Sequence, residues 1–143
     1  EYEEVIIDAG CMRMVKDPSQ FDVVLCENLY GDIMSDLCAG LVGGLGVTPG
    51  ANHGLVGSIF EAVHGSAPDI AGQDKANPLA LLMSGVMLLR HLGDTRGYVD
   101  CAEAANRLRN AYNACLEAGE CTGDLGGSLT TTAFADAVIA RLG

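Results

Sequence analysis

Val23-Val24-Leu25-Cys26-Glu27-Asn28-Leu29-Tyr30-Gly31-Asp32-Ile33-Met34-Ser35-Asp36 passes from an apolar, β-branched run through a short polar stretch into a helical pattern. The run predicts a buried strand over residues 23–26, residues 28–31 a turn, and residues 32–42 a helix. One step upstream the same order repeats. Val5-Ile6-Ile7 predicts a strand, Asp8 is placed to cap the next helix, and residues 9–16 predict that helix, which Asp17-Pro18-Ser19 stops. Strand, helix, strand, helix is an α/β signature.

Downstream, Gly43-Gly44-Leu45-Gly46-Val47-Thr48-Pro49-Gly50 reads as an irregular connection between domains, and residues 58–63 as a strand. Residues 64–77 form a long loop, punctuated by Gly65, Pro68 and Gly72, and loops of that length in compact domains are commonly functional. Asn77-Pro78 then opens a helix that Gly93 closes. Apolar residues at 101, 104, 105, 108, 111, 112 and 115 predict an amphipathic helix ending at Gly119, and residues 132–142 a last one.

Composition excludes several functions. The 143 residues carry eight Lys and Arg against nineteen Asp and Glu, a net charge of −11. Nothing in that balance neutralises a run of phosphates or favours an anionic membrane surface, so neither nucleic acid nor membrane is an expected partner. The apolar run 79–89 is too short to span a bilayer. Six cysteines lie at 11, 26, 38, 101, 115 and 121 without CxxC or zinc-finger spacing. They read as reduced, small apolar residues. Glu1-Tyr2-Glu3-Glu4 lacks the basic and apolar regions of a signal peptide, and the chain reads as a piece of a longer protein.

Asp32 and Asp36 stand four apart on the predicted helix, so their carboxylates share a face. Such a pair is either a solvated acidic face or the protein half of a Mg²⁺ or Mn²⁺ site. Asp8, at a predicted strand end, is either a helix cap or a third carboxylate ligand. His64-Gly65-Ser66-Ala67-Pro68-Asp69-Ile70-Ala71-Gly72 offers small residues that let a ligand approach the backbone, and an acid that can accept from a ribose diol. It reads equally as a plain structural loop. No GxSxG, HExxH or P-loop is present, and Gly43-Gly44-Leu45-Gly46 follows a helix, which excludes a Rossmann fingerprint.

These motifs together resemble the β-decarboxylating dehydrogenases, the isocitrate/isopropylmalate dehydrogenase family. Asn28 to Asp36 is similar to the family's metal signature, residues 43–52 to its continuation in isocitrate dehydrogenases, and residues 60–72 to its adenosine loop. Ala76-Asn77-Pro78 and Met87-Leu88-Leu89-Arg90-His91 follow at the family's places. The resemblance implies the C-terminal portion of that α/β fold. Residues 1–42 would end the small, dimer-contact domain, and residues 43–143 would return into the large, cofactor-binding domain.

It also implies metal-dependent oxidative decarboxylation of isocitrate to 2-oxoglutarate with NAD, most like the catalytic type of NAD-dependent isocitrate dehydrogenase. The implied metal ligands are Asp32 and Asp36, joined by Asp8 from the other protomer of a dimer, and the ion is Mg²⁺ or Mn²⁺. Glu61, His64, Gly65, Ser66, Ala67, Asp69 and Asn77 are the implied cofactor contacts, and Asp69-Ile70 is the pairing that goes with NAD rather than NADP. The substrate clamp and the catalytic Tyr and Lys of the family lie upstream of residue 1, so no catalytic residue is assigned here and the isolated chain is expected to be inactive. The resemblance further implies a homodimer or higher oligomer sharing the metal site, in the bacterial cytoplasm or the mitochondrial matrix. Two alternatives stand beside it: a non-catalytic regulatory subunit of a hetero-oligomer, and a homoisocitrate or isopropylmalate dehydrogenase.

Overall fold

The computed structural model describes residues 2–143, which divide between Gly44 and Leu45 into two units. The first holds two helices, α1 (Ile7–Lys16) and α2 (Asn28–Val42), with a 3₁₀ turn at Pro18–Gln20 between them. Met14 and Gly10 of α1 and Met34 and Ala39 of α2 are its buried residues, and Cys11 meets Met34 sulfur to sulfur at 3.3 Å. The Arg13 guanidinium forks onto the Glu3 carboxylate at 2.9 and 3.2 Å, lies over the Phe21 ring and donates to Gln20. It thereby fastens both extended segments to α1, and it holds the Glu3 carboxyl below the ordinary carboxylate range.

The two strands expected at residues 5–7 and 23–26 do not form. Residues 2–6 and 23–27 are extended, but no ladder joins them to a partner among the described residues. β-branched residues favour extended backbone, yet a strand exists only where a second backbone takes its N–H and C=O groups. Val23 and Leu25 are accordingly about nine-tenths exposed, and a cleft of about 320 Å³ opens between the two segments, lined by Val5, Ile7, Phe21, Val24 and Met34 among others.

Both helices begin earlier than expected. Ile6, not Asp8, is the N-cap of α1, and Asp8 sits inside its first turn, where a carboxylate favours the dipole. Residues 28–31 are the first turn of α2 rather than a separate turn, since the Gly31 amide already donates to the Glu27 carbonyl at 2.7 Å. Gly43, at φ 126°, ends α2 in a conformation that L side chains rarely adopt.

The second unit combines a hairpin with three helices, the first of which carries the hairpin. β1 (Pro49–His53) and β2 (Ser58–Ala62) run antiparallel, with Gly50 opposite Glu61 and Ala51 opposite Phe60. β1 falls in and just beyond the glycine-rich stretch expected to be irregular. Its residues have poor strand propensity, and its partner β2 supplies the order. α3 (Leu79–Arg96), α4 (Val99–Glu117) and α5 (Thr131–Ala140) follow. Their core joins Leu79 and Val86 of α3, Ala105, Ala111, Tyr112 and Cys115 of α4, and Phe134 and Val138 of α5.

α3 runs past Gly93 to Gly97, which caps it in the left-handed region. Gly93 is instead a packing glycine, because a Cβ there would lie 3.1 Å from that of Ala102 on α4. All six cysteines are free. No helix among the described residues is long and apolar enough to cross a membrane.

Candidate functional site

α2 carries the carboxylate pair. Its buried side is set by Met34 and Ala39, so Asp32 and Asp36 fall on the exposed side, one turn apart. Neither carboxylate takes a hydrogen bond or ion pair among the described residues; the Ser35 hydroxyl donates to the Asp32 backbone carbonyl instead. Two like charges at this spacing repel by a few tenths of a kcal/mol, and among the described residues no lysine, arginine or histidine pairs with them. Hard carboxylate oxygens of this kind fit Mg²⁺ or Mn²⁺, which are completed by water and substrate oxygens. Asp8 is also exposed and accepts from the Ala9 amide at 2.6 Å. Among the described residues no three acidic, histidine or cysteine side chains converge on one point, so one chain offers the α2 pair without Asp8.

The second set lies in the hairpin, the loop after it and the start of α3. Ser84, fully buried on α3, donates to the Glu61 carbonyl at 2.6 Å and so holds β2 onto the helix. The Glu61 carboxylate, exposed, accepts from Asn52 across the hairpin at 2.8 Å. His64 to Asp69 are all exposed, and His64 Nδ1 lies 2.9 Å from the Gly65 carbonyl. Ala67 adopts the left-handed conformation (φ 39°, ψ 59°), an uncommon state for a residue with a Cβ, and a 3₁₀ turn over Pro68–Ile70 follows. The Asp69 carbonyl accepts from Gln73 at 2.5 Å, while its carboxylate takes no hydrogen bond among the described residues. A Cβ on Gly65 would meet nothing within 4 Å, so the loop presents open backbone beside a free acceptor, a surface suited to a ribose diol.

Pro78, not Asn77 as the Asn77-Pro78 pair suggests, is the N-cap residue of α3, and the Asn77 Oδ1 accepts from the Leu79 amide at 2.9 Å from one position further out. Its Nδ2 donates to Asp124 Oδ2 at 2.9 Å, and Asp124 Oδ1 accepts from the Thr122 hydroxyl at 2.5 Å. Gly46 packs close to this pair: a Cβ there would lie 3.0 Å from Asp124 Oδ2 and 3.4 Å from Asn77 Cβ, so a side chain would crowd the contact. Asp124 thus orients Asn77 from 47 residues away.

Asp74, at φ 56°, reaches the start of α5, where its carboxylate accepts from the Thr132 amide and hydroxyl at 3.0 and 2.8 Å. The Thr130 and Thr132 hydroxyls hold its carboxyl below the ordinary range. Sequence reasoning missed both acids. The one available signal for Asp124 was its place in a Gly-rich loop, and nothing in the sequence joins Asp74 to Thr132.

A family model described as isocitrate/isopropylmalate dehydrogenase matches residues 1–138. The chain belongs to that family. Among its relatives, catalytic subunit 5 of mitochondrial NAD isocitrate dehydrogenase from Arabidopsis thaliana is 56% identical over 143 residues, covering 99% of this chain and 36% of that one. A regulatory subunit of the mitochondrial NAD isocitrate dehydrogenase from Dictyostelium discoideum is 51% identical over 144 residues, covering 99% and 39%. The crystal structure of isocitrate dehydrogenase from Methylococcus capsulatus superimposes with a TM-score of 0.85 at 46% identity, covering 99% of this chain and 41% of that one. The chain therefore spans about two-fifths of the length of these family members, and its fold is that of the isocitrate/isopropylmalate dehydrogenases.

Proposed function

We propose that the chain is the C-terminal part of a catalytic subunit of NAD-dependent isocitrate dehydrogenase, which decarboxylates isocitrate oxidatively to 2-oxoglutarate. The observation that carries the proposal is the exposed, unpaired carboxylate pair on α2, Asp32 with Asp36. In this reading the pair holds Mg²⁺ or Mn²⁺ and Asp8 of a second protomer completes the set, which makes the working unit a dimer or higher oligomer. The ion supplies Lewis-acid polarisation of the substrate's 2-oxygen.

This chain's residues bind and orient. Residues 1–42 belong to the small domain, and residues 43–143 to the large domain that seats the cofactor. The Asp69 carboxylate accepts from the adenosine ribose hydroxyls and repels a 2′-phosphate, which selects NAD. Gly65, Ser66 and Ala67 let the nucleotide approach the backbone. His64 and Asn77 flank it, Asn77 held by Asp124, and Glu61, next to the end of β2, is a further contact. The substrate clamp and the proton-transferring Tyr and Lys come from upstream, and the compartment is the bacterial cytoplasm or the mitochondrial matrix.

A regulatory subunit is the second reading, favoured by the name of the Dictyostelium discoideum relative. Mn²⁺ binding to the full-length protein separates the two. Asp32→Asn, on the exposed side of α2, leaves the fold intact and weakens Mn²⁺ by more than about 100-fold, since even the outer-shell partners of metal ligands are worth 10–100-fold. Wild-type Mn²⁺ affinity and turnover in Asp32→Asn would remove the catalytic reading. The homoisocitrate and isopropylmalate alternatives are separated by which substrate the same protein turns over.

A further inference from the structure

His53, at the end of β1, and His91, on α3, are 38 residues apart in sequence, and their rings lie 5.2 Å apart centroid to centroid, tilted by 31°. The hairpin brings them together by packing on α3, with Phe60 of β2 edge-on to the His53 ring at 5.6 Å and 5.4 Å from that of His91. His53 is exposed and His91 half-buried, so the pair opens to solvent. Aromatic packing accounts for Phe60, but it does not use the imidazole nitrogens. His53 Nδ1 lies 2.9 Å from the Ser58 hydroxyl across the hairpin, and neither ring nitrogen of His91 takes a hydrogen bond among the described residues.

We propose that His53 and His91 form a two-imidazole site for a borderline divalent transition ion such as Zn²⁺ or Ni²⁺. It uses none of the α2 carboxylates and does not rest on the dehydrogenase reading. Imidazole suits these ions, whereas the hard oxygens of Asp32 and Asp36 suit Mg²⁺ and Mn²⁺. The spacing fits the coordination geometry. A metal–nitrogen bond of about 2.1 Å plus roughly 1.1 Å from nitrogen to ring centre puts each centroid roughly 3.2 Å from the ion. Two such rings at the tetrahedral angle are then about 5.2 Å apart, a separation the two rings already have, and rotation about their Cβ–Cγ bonds would turn one nitrogen of each toward a shared ion. Ser58 can play the part that outer partners play at histidine ligands: with its hydroxyl 2.9 Å from His53 Nδ1, the Nδ1–H tautomer donates to it and leaves Nε2 as the nitrogen that binds. Waters fill the remaining positions. The bound ion would pin the hairpin to α3 and with it the strand that leads into the His64 loop.

The test is a Ni²⁺ titration of the untagged protein with excess Mg²⁺ present, read by calorimetry and by the imidazole NMR signals. The chain has three histidines, which keeps assignment simple. One Ni²⁺ per chain is expected, with the His53 and His91 signals broadened together and that of His64 spared. His53→Ile and His91→Phe each weaken binding at least about tenfold, because losing one of two linked ligands forfeits the chelate advantage. Broadening confined to His64, absence of binding, or variants that bind like the wild type would overturn the site. If His91→Phe fails to fold, His53→Ile at the exposed strand end and the NMR of the unaltered protein decide.

Discussion

Ser84→Ala tests how the hairpin is tied to the helical core. The Ser84 side chain is fully buried, and its hydroxyl lies 2.6 Å from the Glu61 carbonyl and 2.9 Å from the Ala80 carbonyl. The Ala80 contact runs back along the same helix and matters little, whereas the Glu61 contact spans two elements. Removing the hydroxyl opens no cavity larger than one oxygen, so the cost is the lost hydrogen bond plus part of the desolvation of the carbonyl left behind, about 1–2 kcal/mol. For a cooperative unit of about a hundred residues that lowers Tm by about 4–8 °C per kcal/mol. Thermal unfolding followed by circular dichroism reads the total, and amide exchange locates it: protection should fall along residues 49–62 more than along α4. A Tm within about 1 °C of wild type, or a loss of protection spread evenly over the unit, would refute the tie.

Two further outcomes rest on the same packing and electrostatics. Phe134 is fully buried among α3, α4 and α5, so Phe134→Ala should cost about 3–5 kcal/mol and shift the urea midpoint sharply downward; an unchanged midpoint would mean the core is drawn wrongly. Asp74 has its carboxyl lowered by the threonine hydroxyls at the start of α5, so its contribution is present above its unfolded-state pKa and is lost as pH falls through the lowered folded value. Asp74→Asn should therefore flatten the acid limb of a Tm-against-pH series, and an acid limb identical to wild type would contradict this.

Much of the architecture is legible in the sequence because its signals are local. The Asp32 and Asp36 spacing, the Asn77-Pro78 helix start and the periodicity of α4 each depend on neighbours within a turn or two, and the structure has the helices there. What failed depended on distant partners. Val5 to Ile7 and Val23 to Cys26 have strand composition but no pairing partner among the described residues, while Pro49 to His53 has poor strand composition and pairs with β2. Gly93 looked like a helix stop because its other use, admitting Ala102 of α4, is a tertiary fact. In the candidate site the loop and its acid were readable, but the left-handed Ala67, the Asp124 hold on Asn77 and the meeting of His53 with His91 come only from the folded chain.

The most direct test of the proposed chemistry is kcat/KM for isocitrate oxidation with NAD and with NADP, in the full-length enzyme with Mn²⁺, before and after the double change Asp69→Lys with Ile70→Tyr. The Asp69 carboxylate is exposed and takes no hydrogen bond among the described residues, so it can accept from both ribose hydroxyls. At about 1.5–3 kcal/mol for a charge-assisted hydrogen bond, its loss to a 2′-phosphate gives a preference for NAD of about tenfold to a few hundredfold. The new lysine pairs with the phosphate and lowers the NAD-to-NADP ratio at least about tenfold. A wild type that prefers NADP, a ratio unmoved by the double change, or no turnover of isocitrate would contradict the account.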